Sequence, residues 1–181
     1  MRTLRMAQVA VLLFVASCTP GIRAGADFAP DVDFGALSTF EWDEPDTRPV
    51  GDPRLENNPL FEERLHAAIE RELAARGIRP TSTDPGLIVH HHATVRDRVD
   101  VYEADRAAGY GTPDYEDRTQ VIQYEEGTLM IDIADASTNE LVWRGWAQFD
   151  IGLALRDPDM LTEHVDEAVA KMFEHFPTGE R

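Results

Sequence analysis

Phe61, Leu65, Ala68, Ile69 and Leu73 recur every three to four positions, the spacing that lines one face of a helix. Glu62, Glu63, Arg64, His66, Glu70, Arg71 and Glu72 fill the opposite face. Asn58 before Pro59 supplies a start: the asparagine oxygen can accept an orphan backbone N–H, and proline at the first position has none to lose. Gly77 after Arg76 supplies the stop through a left-handed cap. The pattern predicts a helix over 59–76. A second helix follows from Asp157-Pro158 and from Leu161, Val165, Ala168, Val169, Met172, Phe173 and Phe176, and Pro177 ends it.

Elsewhere the period falls to two. Residues 37–42, LSTFEW, predict a first strand, and residues 87 to about 101 a second, with Leu87, Val89, His91, Ala93 and Val95 as its inward row. Residues 127–134 and 141–149 predict two more, and the turn formers of 135–140 join them as a hairpin. In that hairpin Leu129, Ile131 and Ile133, with Leu141, Trp143, Gly145, Ala147 and Phe149, should face the helices. Val142, Arg144, Trp146 and Gln148 should line the other face. The order β-α-β-β-β-α predicts an α+β fold: a four-stranded, mainly antiparallel sheet with both helices packed on one face. Residues 43–58, interrupted by Pro45, Pro49 and Pro53, read as a loop. Residues 103–118, with Tyr110 and Tyr115 among glycines and charges, read as an exposed excursion.

Residues 6–17 are apolar except for Gln8 and Ser17 and follow Arg2 and Arg5. The run is far shorter than the roughly 20 residues of a membrane-spanning helix, so it reads as an export signal. Val15-Ala16-Ser17-Cys18 resembles a bacterial lipobox, whose cysteine is acylated before cleavage makes it the first residue. The ordinary alternative is a signal peptide cut near Ser17 or Ala24. The lipobox reading divides the chain into a signal peptide, 1–17, a lipidated tether, 18–33, and one α+β domain, 34–181. Acyl chains on Cys18 would then hold the protein on a membrane without spanning it. Thr19, where aspartate would favour the inner membrane, points by analogy with known sorting to the outer membrane and a domain facing the periplasm.

Charge narrows the partners. Arg2 and Arg5 lie in the leader, so 15 of the 17 basic side chains remain against all 34 acidic ones. A surface this acidic repels phosphate backbones, which excludes nucleic acid as an expected partner. With a single cysteine in the chain, no intramolecular disulfide forms, and packing supplies the stability.

The segments 33–34, 39–42, 127–136 (GTLMIDIADA) and 141–145 (LVWRG) resemble a family of bacterial lipoproteins catalogued as domain of unknown function 4136. The helix ending LAARG at Gly77 and the closing helix to Phe176-Pro177 also fit it. The resemblance implies an envelope lipoprotein with no established enzymatic activity, hence no catalytic residues and no cofactor to carry over. In residues 103–118 the chain is poorer in glycine than the corresponding family loop.

Chemistry-bearing residues are few. In the run His90-His91-His92 a strand would place His90 and His92 about 7 Å apart on one face. That spacing suits a divalent metal if a third ligand such as Asp132 joins from a neighbouring strand. The competing reading leaves His90 and His92 solvated and turns His91 inward. His164 and His175, eleven positions apart on a helix, stand about 16 Å from each other and cannot share an ion. Ser38, Ser82 and Ser137 sit in no nucleophile elbow. Arg144 and Trp146 share the helix-free face and have the composition of a binding surface; the alternative covers Trp146 with a loop. The sequence therefore predicts a non-catalytic module that binds another envelope component through that face or the loop of Tyr110 and Tyr115. A metal-binding protein using His90 and His92 is the alternative.

Overall fold

The computed structural model describes residues 21–45, 49–102 and 120–177. Cys18, Tyr110 and Tyr115 lie outside these residues. Both predicted helices form. α1 spans Pro59–Ala75, and the Asn58 side chain accepts the N–H groups of Leu60 and Phe61 at 3.0 and 3.3 Å. Its C-terminus closes as a Schellman motif: Ile78 N–H donates to the Leu73 carbonyl and Gly77 N–H, at φ +82°, to that of Ala74. α2 spans Pro158–Phe173, and Asp157 caps the N–H groups of Asp159 and Met160 in the same way.

The sheet is larger than expected. Its strands are β1 (Arg23–Phe28), β2 (Thr39–Trp42), β3 (Arg79–Pro80), β4 (Leu87–Tyr102), β5 (Gln120–Asp135) and β6 (Leu141–Asp150). They lie in the order β1-β6-β5-β4-β2-β3, a six-stranded mixed sheet. The expectation of four mainly antiparallel strands is thus corrected, while the α+β class stands. Two strands are new. β1 falls in the stretch read as tether, where its sequence RAGADF shows little strand preference. It is held by antiparallel pairing with β6 from Arg23↔Gln148 to Phe28↔Trp143, and by Arg23 bonding the buried Glu126, which Arg98 of β4 also holds. β3 has two residues, and its proline, lacking an N–H, suits the sheet edge.

β2 runs parallel to both β3 and β4. A strand that leads through a helix into its sheet neighbour must return by a crossover, which makes the pair parallel; an antiparallel pair needs only a hairpin. The first strand is also shorter than 37–42, because Phe34–Ala36 forms a 3-10 turn ahead of it.

β4, β5 and β6 form the antiparallel centre, and their inward rows match the period-two reading with one exception. Leu87, Val89, Leu129, Ile131, Ile133, Trp143, Ala147 and Phe149 are buried in one core with the apolar stripes of α1 and α2. A register shift next to Ile133 and Ala134 pairs Ala134 with Leu141, so Val142 is buried and Leu141 exposed, the reverse of the strict alternation. The Trp143 indole covers Gly145 so closely that a Cβ there would collide with it, and Phe173 and Phe176 pack on its ring. On the face without helices Arg144 and Trp146 are exposed, and His92, Met130, Asp132 and Gln148 are half-buried.

A histidine and glutamate cluster at the sheet notch

β2 pairs with β4 only as far as Trp42↔Val89, whereas β4 continues. Past that point a notch opens between the end of β2, the first half of α1 and the segment around Val50, whose carbonyl accepts the N–H of Val95. The notch is a cleft of about 240 Å³, and its described lining includes Trp42, Asp43, Glu44, Glu56, Glu62, His66, His90 and His91. No Lys or Arg occurs among the described lining residues.

Three side chains converge on it. His91 belongs to the inward row of β4 and therefore points at α1, where it meets Glu62: its Nε2 lies 2.7 Å from Glu62 Oε2. His66, one turn after Glu62 on the same face of α1, places its Nε2 4.0 Å from that same oxygen. One donor atom from each of Glu62, His66 and His91 lies within 4.8 Å of the others, and all three residues are half-buried. This is the set among the described residues that could hold a metal ion.

Trp42 fixes the rings. Its indole stacks on His66 with centroids 3.9 Å apart and planes 9° from parallel, and it meets His91 edge-on at 6.0 Å. The indole N–H donates to Glu70 Oε1 at 3.1 Å, one turn beyond His66. Burial pushes the pKa of His66 below its ordinary value; repulsion from His91 adds to the shift, and Glu62 and Glu70 oppose it. His66 is thereby biased toward the neutral imidazole, the form that offers a lone pair.

The residues singled out from sequence lie on the other side of the sheet. His90, Asp132, Arg144 and Asp27 stand opposite one another across β4, β5, β6 and β1. Arg144 bonds both carboxylate oxygens of Asp132 at 2.6 Å, so the carboxylate considered as a third metal ligand is already engaged by a cation. His90 lies 3.6 Å from Asp43 at the rim of the notch. His92 faces Met130, which faces Trp146. Trp146 is 39% exposed and rests on the backbone of Gly25, whose missing Cβ would come within 2.9 Å of the indole. The structure therefore places Arg144, Trp146, His92 and Asp132 on the helix-free face, sets His90 at the rim of the notch, and brings His91 together with His66 and Glu62 on the helix side.

A second cleft, of about 810 Å³, lies between the end of β1 and the turn after α2, with Phe28, Phe34, Glu174, His175 and Phe176 among its lining. It gathers no such triad among the described residues.

The framework of strand, helix, long hairpin and closing helix over residues 25–178 is matched by a family profile described as domain of unknown function (DUF4136). The chain belongs to that family. No curated protein shows significant similarity to it. Among solved structures, a PDZ domain protein from Parabacteroides distasonis is similar at a TM-score of 0.53 and 19% identity, over 87% of this chain and 36% of that one. The PelC dodecamer from Paraburkholderia phytofirmans gives a TM-score of 0.48 at 10% identity, covering 86% of this chain and 97% of that one. The likeness to the Parabacteroides protein is one of fold, and this chain spans about a third of that protein's length.

Proposed function

We propose that this DUF4136 protein is a bacterial envelope lipoprotein, anchored in the outer membrane by acyl chains on Cys18. Its domain faces the periplasm and binds another envelope component through the helix-free sheet face. The reading rests on the lipobox-like VASC that closes a short apolar run after two arginines.

One structural observation gives the reading its form. Five peptide steps separate Cys18 from Arg23, the first residue of β1. They span at most about 18 Å even when fully extended. An acylated Cys18 would hold the β1 edge close to the leaflet, not at the end of a long tether. The helix-free face would then be presented beside the membrane. Its polar groups suit recognition more than reaction: Asp132 and Arg144 are paired, and Trp146 offers a half-exposed ring on a rigid strand.

The anchor is tested by fractionating cells that make the full chain or its Cys18→Ser variant. The wild-type protein should be in the membrane fraction and should incorporate labelled palmitate. The variant should incorporate none and keep its leader. Equal labelling of the two, or a wild-type protein recovered wholly in the soluble fraction, contradicts the proposal.

A further inference from the structure

We propose that Glu62, His66 and His91 form a binding site for a divalent transition-metal ion of the zinc type, with its open coordination position toward the notch. The proposal does not depend on acylation of Cys18. It concerns the face of the sheet opposite His92, Arg144 and Trp146.

The donor set selects the ion class. Two imidazoles and one carboxylate suit zinc and its neighbours, whereas calcium and magnesium prefer oxygen ligands alone. Three protein ligands leave a fourth tetrahedral position free, as in zinc sites that keep a bound water. Here that position opens on a cleft whose described lining carries Asp43, Glu44 and Glu56 besides Glu62, and these acids would attract a cation.

The distances fit. Metal–ligand bonds of about 2.0–2.2 Å in a tetrahedron put neighbouring donor atoms roughly 3.3–3.5 Å apart. Glu62 Oε2 now lies 2.7 Å from His91 Nε2 and 4.0 Å from His66 Nε2. One contact must open and the other close, each by less than about 1 Å, within the range of side-chain rotation. The backbone supports this economy, since Glu62 and His66 sit one turn apart on a capped helix and His91 is fixed by the β4–β5 ladder. Trp42, stacked on His66 and tied to Glu70, holds the ring plane in the way outer groups orient ligating histidines.

The His91–Glu62 contact alone could be an ordinary ion pair. His66 changes that account. A second imidazole directed at the same carboxylate oxygen, its ring centroid 5.1 Å from that of His91 and its plane braced by an indole, makes a three-donor convergence that an ion pair alone does not require. A cation between the two neutral rings and the carboxylate would be shared by all three donors.

The experiment uses the full chain, stripped with a chelator and then titrated with Zn²⁺, with Mg²⁺ as the comparison ion. Retention of about one zinc per chain is expected, with a thermal midpoint that rises with zinc concentration and not with magnesium. Glu62→Gln and His66→Gln should each weaken zinc binding by more than about tenfold. Both side chains are more than a third exposed, so these variants test the site with little risk to folding. His92→Asn, on the opposite face of the sheet and outside the lining of the notch, should bind zinc like the wild type. Cobalt in place of zinc should give the strong visible absorption of a tetrahedral site, lost in Glu62→Gln. Three results overturn the proposal: zinc retained no better than magnesium, wild-type zinc affinity in both Glu62→Gln and His66→Gln, or loss of binding only in His92→Asn.

Discussion

Trp143 lies across Gly145, two residues along the same strand, with its indole where a side chain on Gly145 would have to be. The ring is fully buried between β6 and the end of α2, and its N–H has no hydrogen-bond partner among the described groups. Shape, not polarity, keeps it there. Phe173 and Phe176 pack against it at centroid distances of 4.9 and 5.4 Å, and the Arg76 guanidinium covers both phenyl rings.

Gly145→Ala should therefore destabilise the domain by about 1–3 kcal/mol, because the methyl forces a core indole off its seat. Gly21→Ala, where an added Cβ meets nothing within 4 Å, should be close to neutral. Urea denaturation midpoints of the two variants check the contrast.

The helix caps should act independently. Asn58→Ala and Asp157→Ala each remove a side-chain acceptor that satisfies two orphan N–H groups, and each should cost about 1 kcal/mol. The two caps belong to different helices and share no hydrogen bond, so the double variant should lose nearly the sum. Equilibrium unfolding of the single and double variants measures this.

Acid should expose the Asp52–Arg54 pair. The side-chain hydrogen bonds from Arg54 hold the Asp52 carboxyl below its ordinary value despite its burial. A carboxyl whose folded pKa is depressed contributes stability that is fully present above its unfolded value of about 3.8 and lost as pH falls through the folded value. Between pH 5 and 2, wild-type stability should thus fall more steeply than that of Asp52→Asn. Chemical denaturation across that range should show the two curves converging at the acid end.

The surface pair Asp132–Arg144 should contribute little to stability in spite of its two short hydrogen bonds. Arg144 is nearly half exposed, and water competes for both charges. A double-mutant cycle to alanine should give a coupling of about 1 kcal/mol or less, smaller at high salt.

What the chain discloses by itself is what local chemistry decides. Asn58-Pro59, Asp157-Pro158 and Gly77 each fix a helix end through atoms within a few residues, and all three act as their types suggest. β1 could not be read because Arg23–Asp27 has small and polar side chains and only Phe28 is a strand former, and its strand form comes from pairing with β6, more than a hundred residues away. β2 runs parallel to β4 because a strand, helix and strand in succession make a crossover, a rule of connection that no local residue carries. Leu141 is exposed and Val142 buried beside a register shift that periodicity alone cannot show.

The candidate site divides in the same manner. His91 on the inward row of β4 followed from alternation, and the Glu62–His66 spacing of one helical turn was visible in the polar face of α1. What brings them together is the way α1 crosses the end of β2 and lies over β4, a tertiary arrangement carried by the core around Phe61, Leu65 and Val89. An inward histidine on a strand, with an i, i+4 glutamate and histidine on the preceding helix, was the signal available.

The central claim, an acylated Cys18 that holds the β1 edge near a leaflet, is met most directly by intact-mass spectrometry of the protein extracted from cell membranes. The account predicts a chain that begins at Cys18 and carries the added mass of a diacylglycerol, with or without a further acyl chain. A mass that retains residues 1–17, or one that begins at another residue with no lipid attached, would contradict it.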